Sequence, residues 1–183
     1  MIQHLLALIT IKMWSATGIL LLKHGVGSGK SISVHAAKNK LFYRLFGLVE
    51  IIVGVLFLYF MIGWFIPEFG LGFGFELTTY LTVFGLMVVA IVPERKGIEH
   101  AIHRYSAYGF AFGLMVMSFF LLATPSIDSG IKALIAFPVA YMLSVWVLVI
   151  PVFTKYFQEN MLRFQVPYLL AAQTSLLLTT YLG

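Results

Sequence analysis

Six long apolar runs limit what this chain can fold into. Each is close to the roughly 20 residues that a helix needs to cross the hydrocarbon core of a bilayer. They are continuously apolar rather than alternating, which excludes a membrane β-barrel. Backbone groups in lipid must be satisfied internally, so the runs are expected to be helices. They cover about residues 2–22, 42–66, 76–93, 103–124, 131–153 and 163–182.

Composition supports the same fold class. The 183 residues are 61% hydrophobic and only 10% charged, whereas a soluble domain carries about 25% charged residues. Such a chain cannot cover itself with polar surface in water. The sequence therefore predicts an all-α polytopic integral membrane protein, with residues 1–183 forming one transmembrane domain built as a six-helix bundle.

The basic residues predict the orientation. Ten of them lie in the first, third and fifth loops or the adjoining helix ends, whereas the second and fourth loops contain three acids and one cation. The basic loops hold Lys23, Lys30, Lys38, Lys40, Arg44, Arg95, Lys96, Arg104, Lys155 and Arg163, and the other two hold Glu68, Glu76, Asp128 and Lys132. The positive-inside rule makes the basic loops cytoplasmic and places both termini outside.

These charges also indicate the partners. The expected location is the cytoplasmic membrane, with the lipid bilayer as the partner and anionic headgroups near the inner loops. Other membrane subunits are a further class of partner. The net charge of +5 does not predict a nucleic-acid partner, because no basic surface with interleaved aromatics lies outside these loops. The start of the chain lacks a basic region before its first apolar run, so this run is expected to remain as a membrane helix.

Two ionisable residues fall well inside predicted spans, Lys12 in the first and Glu50 in the second. Both lie about 15 Å from the basic inner ends of their helices, and consecutive helices usually pack together. We expect an intramembrane Lys12–Glu50 pair, acting either as a packing clip or as an ion or proton relay. Gln173 and Ser15 are the polar residues that would line a cavity at similar depth.

A second polar group is expected at the inner face, at the start of the fourth span. It comprises Glu99, His100, His103 and Arg104. The two histidines are three residues apart, so they share one side of a helix. This geometry suits a metal ligand pair, yet with no cysteine in the chain and no histidines facing each other within spans, neither a metal nor a haem or other cofactor is predicted. No catalytic serine elbow and no paired acids within one span occur in the sequence.

The stretch HGVGSGKS, residues 24–31, resembles a phosphate-binding loop. The pattern Gly-x-x-x-x-Gly-Lys-Ser would need glycine at position 24, where the chain has His24. A membrane helix rather than a strand precedes it. We therefore expect no bound nucleotide and a cytoplasmic turn at this position.

The segment from Ile91 to Gly109 has a Pro–acid pair closing the third helix, a short loop and histidines opening the fourth. This arrangement resembles an uncharacterised six-helix membrane family, domain-of-unknown-function family nine-nine-eight. The segment SISVHAAKNKLFYR after the first helix is compatible with that family. The run YRLFGLVEIIVG, with Arg44, Gly47, Glu50 and Gly54, is similar to DoxX-like membrane proteins, which have four helices. Neither resemblance implies a defined activity.

Three function classes stay open at this point. The first is a non-enzymatic membrane component, either a small transporter or a subunit of a larger complex. The second is a substrate-capturing module of a vitamin or small-solute importer. The third is a membrane-interface enzyme that acts on a lipid or quinone through the inner-face histidines. A midplane cavity would favour transport, and histidines converging at the inner interface would favour the enzyme.

Overall fold

The structure, a computed structural model, describes residues 2–24, 30–37, 39–94, 97–149 and 154–183. Within these ranges the chain forms helices joined by turns, and it contains no strand. A π-helical turn, Met61–Phe65, connects α3 to α4. The helices are α1 Gln3–His24, α2 Ile32–Ala36, α3 Lys40–Phe60, α4 Ile66–Phe69, α5 Phe73–Ile91, α6 Ile98–Ala123, α7 Ser129–Val149, α8 Thr154–Glu159 and α9 Met161–Leu182.

Five helical segments are long and apolar enough to cross a bilayer. They are Gln3–Lys23, Lys40–Phe69, Phe73–Ile91, Ile98–Ala123 and Ser129–Leu148. The prediction of an all-α chain with long apolar helices is confirmed. The sixth predicted span, 163–182, forms the helix α9 but is not among these five, so six spans and the outer placement of both termini stay predictions. The predicted end of the fifth span, 150–153, lies outside the described residues.

The chain divides into two compact units. The N-terminal unit comprises Met1–Val26 and Ile32–Gly113, and the C-terminal unit comprises Gly27–Ser31 and Leu114–Gly183. In the N-terminal unit, α3 packs against both α1 and α5.

Glycines on α3 and on α5 itself allow the helices around α5 to pack closely. A Cβ on Gly47 would lie 2.6 Å from the Ala90 carbonyl oxygen, and one on Gly85 would lie 3.0 Å from the Ser106 carbonyl oxygen. Small residues let helix backbones approach in this way in membranes. The backbones of α3 and α6 therefore both lie close to α5.

The ends of the α3–α4 segment are encoded locally. The Asn39 side chain accepts hydrogen bonds from the amides of Leu41 (2.9 Å) and Phe42 (3.1 Å), so α3 begins just after it. Pro67 lacks an amide hydrogen and its ring would collide with the carbonyl four residues earlier in an α-helix. The chain widens into the π-helical turn, which ends two positions before this proline. Gly70, with φ of 62°, then ends α4 in the left-handed conformation that favours glycine.

Aromatic side chains pack around that π-helical turn. Phe60 and Phe65 are fully buried, and their ring centroids lie 5.6 Å apart. Phe65 also stacks on Phe75 of α5 at 6.0 Å. These contacts fix the end of α3 against the start of α5.

In the C-terminal unit, α7 and α9 pack along each other. Two polar contacts join them: the Trp146 indole donates a hydrogen bond to the Tyr168 hydroxyl (3.0 Å), and the Tyr141 hydroxyl donates to the Phe164 carbonyl (3.5 Å). Ser175 and Thr179 are buried on α9, and each hydroxyl donates to the carbonyl four residues earlier. The polar groups of this face are thus satisfied within their own helix.

Candidate functional site

Four polar side chains from three segments of the N-terminal unit meet where α5 ends and α6 begins. Ser33 lies on α2, Glu94 in the α5–α6 connection, and His100 and His103 on α6. The Ser33 hydroxyl donates a hydrogen bond to Glu94 Oε2 at 2.6 Å. His103 Nε2 lies 3.7 Å from Glu94 Oε2, and His100 Nδ1 lies 3.9 Å from Glu94 Oε1. We call these four residues the Glu94 cluster.

His103 has one defined ring orientation in this cluster. Its Nδ1 lies 2.6 Å from the Val92 carbonyl oxygen. Because a carbonyl only accepts hydrogen bonds, Nδ1 carries the hydrogen, and Nε2 is the atom that faces the Glu94 carboxylate. Nε2 is therefore the ring atom that can take up or release a proton next to an anion.

The local sequence explains how the cluster is built. Val92 ends α5 in an extended conformation, and Pro93 cannot continue the helix because it has no amide hydrogen. Gly97, with φ of 90°, adopts a left-handed backbone that favours glycine. The chain then reverses into α6, which brings His103 back to the Val92 carbonyl.

Exposure within the cluster is graded. The His103 side chain is 3% exposed, that of Glu94 is 16% exposed and that of His100 is 46% exposed. His100 is thus the member most open to the surroundings, and His103 the most enclosed.

The sequence predicted half of this cluster. His100 and His103 are brought together, but the carboxylate between them is Glu94 and not Glu99, which is only partly buried on α6. Arg104 is exposed, and its Nε donates to the Tyr108 hydroxyl at 3.1 Å. The Pro–acid pair before α6 was a signal for Glu94. No signal pointed to Ser33, because its role depends on the short helix α2, which the apolar runs do not predict.

His35, also on α2, is the most enclosed histidine of the described residues at 1% exposure. It lies two residues from Ser33 on the same buried segment. In the part of the chain that the structure describes, no three His, Asp or Glu side chains are arranged to hold a metal ion.

The predicted Lys12–Glu50 pair is not formed. Glu50 is buried at 7% exposure. It lies between Gly47 and Gly54 on the face of α3 that packs against α5, whereas Lys12 is exposed on α1. Among the described residues Glu50 makes neither an ion pair nor a hydrogen bond. The pairing was predicted from depth alone, and depth does not determine which way a side chain faces around its helix.

The other predicted cavity residues do not belong to one unit. Ser15 lies on the exposed side of α1 in the N-terminal unit, and Gln173 is partly buried on α9 in the C-terminal unit. Most of the HGVGSGKS stretch, 25–29, lies outside the described residues. The expected cytoplasmic turn there stays a prediction.

Comparison with known proteins gives no match: no family model, no curated protein and no solved structure matches this chain. The two family resemblances therefore stay predictions.

Proposed function

We propose that this chain is a multi-pass protein of the cytoplasmic membrane that couples the transport of a small solute to proton movement. The observation that carries the proposal is Glu50, a buried acid without an ion-pair partner among the described residues. An isolated charge at the centre of a bilayer costs at least about 2.5–3.5 kcal/mol, and ionisable residues inside spans are typical of proton and ion pathways. A carboxyl group that alternates between protonated and ionised forms avoids the cost of a permanent buried charge, and it can also pass a proton along such a pathway.

The Glu94 cluster supports the proposal by supplying a proton entrance in the same unit. Gly47 lies against Ala90 near the end of α5, and Gly54 lies against Met87 farther from that end. Glu50 lies between the two glycines, so it is about 10 Å along the bundle from Glu94 at the helical rise of about 1.5 Å per residue. His100 would exchange protons with water, and His103 and Glu94 would pass them inward.

The topology that fits this function has six spans with both termini outside. The helix α9, Met161–Leu182, has 22 residues, a length sufficient to cross the hydrocarbon core. The Glu94 cluster then lies on the cytoplasmic side, next to the basic loop that contains Arg95 and Lys96. Arg95 and Lys96 then help to set the orientation of the protein and lie near anionic headgroups.

Charge movement after a pH jump tests the proposal. Purified protein is reconstituted into liposomes on a solid-supported membrane, and the transient current is recorded when the external pH is changed without added solute. The wild-type chain is expected to give a current that Glu50→Gln lowers to the level of protein-free liposomes. Glu68→Gln is the matched control and should keep the current, because it removes an exposed carboxylate away from the α3–α5 contact that encloses Glu50. A wild-type current equal to that of protein-free liposomes, or a full current in Glu50→Gln, contradicts the proposal.

A membrane-interface enzyme is a second candidate, favoured by the convergence of His100 and His103 on Glu94. The cluster has the components of an acid–base site: a carboxylate, a ring nitrogen facing it and a hydroxyl. Vesicles containing phosphatidylglycerol and a quinone, incubated with the protein and analysed by mass spectrometry, test this candidate. An enzyme would produce a new lipid or quinone product that His103→Gln abolishes and Glu50→Gln leaves unchanged.

A further inference from the structure

Lys12 lies on a face of α1 that is exposed in the part of the chain that the structure describes. The residues that pack inward on this helix include Leu6, Ile9 and Thr17. The exposed residues recur three or four positions apart and so lie along one side of the helix. This side, the Lys12 face, consists of Leu8, Ile11, Lys12, Ser15, Ile19 and Leu22.

The position of Lys12 along α1 is central. It lies nine residues after Gln3 and eleven before Lys23, which correspond to about 14 Å and about 17 Å of helix. A lysine near the end of a span can extend its side chain to the headgroups. At these distances its four-carbon stem does not reach either interface of a core about 30 Å thick. An anionic partner therefore stabilises an ionised Lys12 at this depth.

No other acid of the chain suits this role. The seven acids are Glu50, Glu68, Glu76, Glu94, Glu99, Asp128 and Glu159. Glu76 begins an apolar run, and only Glu50 falls well inside one; it is enclosed on the face of α3 that packs against α5. A second copy of the chain would bring the same set of acids, with its own Glu50 equally enclosed.

We propose that the Lys12 face binds a transmembrane helix of a different protein that carries an aspartate or glutamate at mid-membrane depth. The ammonium group of Lys12 pairs with that carboxylate, and Ser15, nearly one turn farther along, adds a hydroxyl hydrogen bond. The apolar residues on either side form the rest of the contact. The proposal rests on α1 crossing the membrane, which belongs to the proposed topology, and it does not depend on proton transport.

A synthetic helix tests the interaction without knowledge of the natural partner. The probe is a leucine- and alanine-rich transmembrane peptide with one central glutamate, and the control peptide has leucine at that position. The chain has no cysteine, so Gln3→Cys, at an exposed end of α1, gives one labelling site. Association in liposomes is measured as energy transfer between the labelled chain and a labelled peptide.

The glutamate peptide is expected to bind roughly tenfold more tightly than the leucine peptide, since a polar partner at the bilayer centre replaces an unpaired charge. Lys12→Leu should abolish that preference, whereas Lys155→Leu, on exposed α8, should keep it. Equal binding of the two peptides, or an unchanged preference in Lys12→Leu, overturns the proposal. Energy transfer between two labelled copies without peptide that Lys12→Leu abolishes overturns it too, because a second copy would then cover the face.

The two proposals fail separately. Two single-cysteine variants, Gln3→Cys and Lys23→Cys, at the exposed ends of α1, establish that α1 crosses the bilayer if an impermeant reagent reaches them from opposite sides. Reaction of both from the same side removes the basis of this inference. The peptide preference should be unchanged in Glu50→Gln. A wild-type chain that gives no pH-jump current but keeps the peptide preference would reject proton coupling and leave the Lys12 face as proposed.

Discussion

Replacing Gly47 with alanine tests the helix contact that encloses Glu50. The new Cβ would lie 2.6 Å from the Ala90 carbonyl oxygen, whereas ordinary contacts begin near 3.4 Å. The obstructing atom belongs to the backbone, so it cannot move aside as a flexible side chain would. The helices α3 and α5 would have to separate by about 0.8 Å at this point.

The expected change in stability has two opposing parts. Alanine improves helix propensity over glycine by about 1 kcal/mol, whereas forcing an extra methyl group into a packed interface costs about 1–3 kcal/mol. Gly109→Ala is the matched control, because a Cβ there meets nothing within 4 Å and only the gain applies. The propensity gain is common to both variants, so Gly47→Ala should be less stable than Gly109→Ala by about 1–3 kcal/mol.

The measurement is reversible unfolding in mixed micelles with increasing dodecyl sulfate, followed by circular dichroism. The free energy of unfolding of each variant is compared with that of the wild-type chain under the same conditions. Equal stabilities of Gly47→Ala and Gly109→Ala would refute the contact between Gly47 and Ala90. They would also remove the reason for regarding Glu50 as enclosed in a close helix seam.

Two further substitutions probe the other contacts. Ser33→Ala removes the hydroxyl that donates to Glu94 at 2.6 Å, so the backbone amides of 32–36 should exchange with deuterium faster. The amides of α7 should keep their exchange rates. Unaltered exchange of 32–36 would argue against the Ser33–Glu94 contact. Tyr168→Phe removes the hydroxyl that accepts from the Trp146 indole at 3.0 Å, so the free energy of unfolding should fall by about 1 kcal/mol. The control is Tyr181→Phe, at an exposed residue. An equal loss in the two variants would contradict a stabilising Trp146–Tyr168 hydrogen bond.

The apolar runs predicted the long helices because their length and hydropathy depend only on the local sequence. The predicted starts at 42 and 103 differ from the observed starts, Lys40 and Ile98, because polar residues begin those helices before the apolar run does. The buried helix α2 has five residues, too few to produce a hydropathy signal. Local patterns therefore predicted the long apolar helices and missed the segment that carries Ser33.

The candidate site was less predictable because it depends on contacts between distant segments. The i, i+3 spacing placed His100 and His103 on one side of α6, and this part did not need the tertiary structure. The choice of Glu94 over Glu99 depends on the reversal at Gly97, and Ser33 reaches Glu94 across 61 positions of the chain. The Lys12–Glu50 prediction rested on depth and contained no information on rotation around the helix axis.

The π-helical turn Met61–Phe65 affects how the sequences of relatives should be aligned with this chain. In it the Ile66 amide donates to the Met61 carbonyl five residues earlier, one more than in an α-helix. Deleting one residue from this turn would restore α-helical spacing while rotating everything upstream relative to Phe69 by about 100°. A relative without the turn would therefore align with this chain only through a one-residue gap inside an apolar helix. Pro67, two positions after the turn, marks where that gap should be placed.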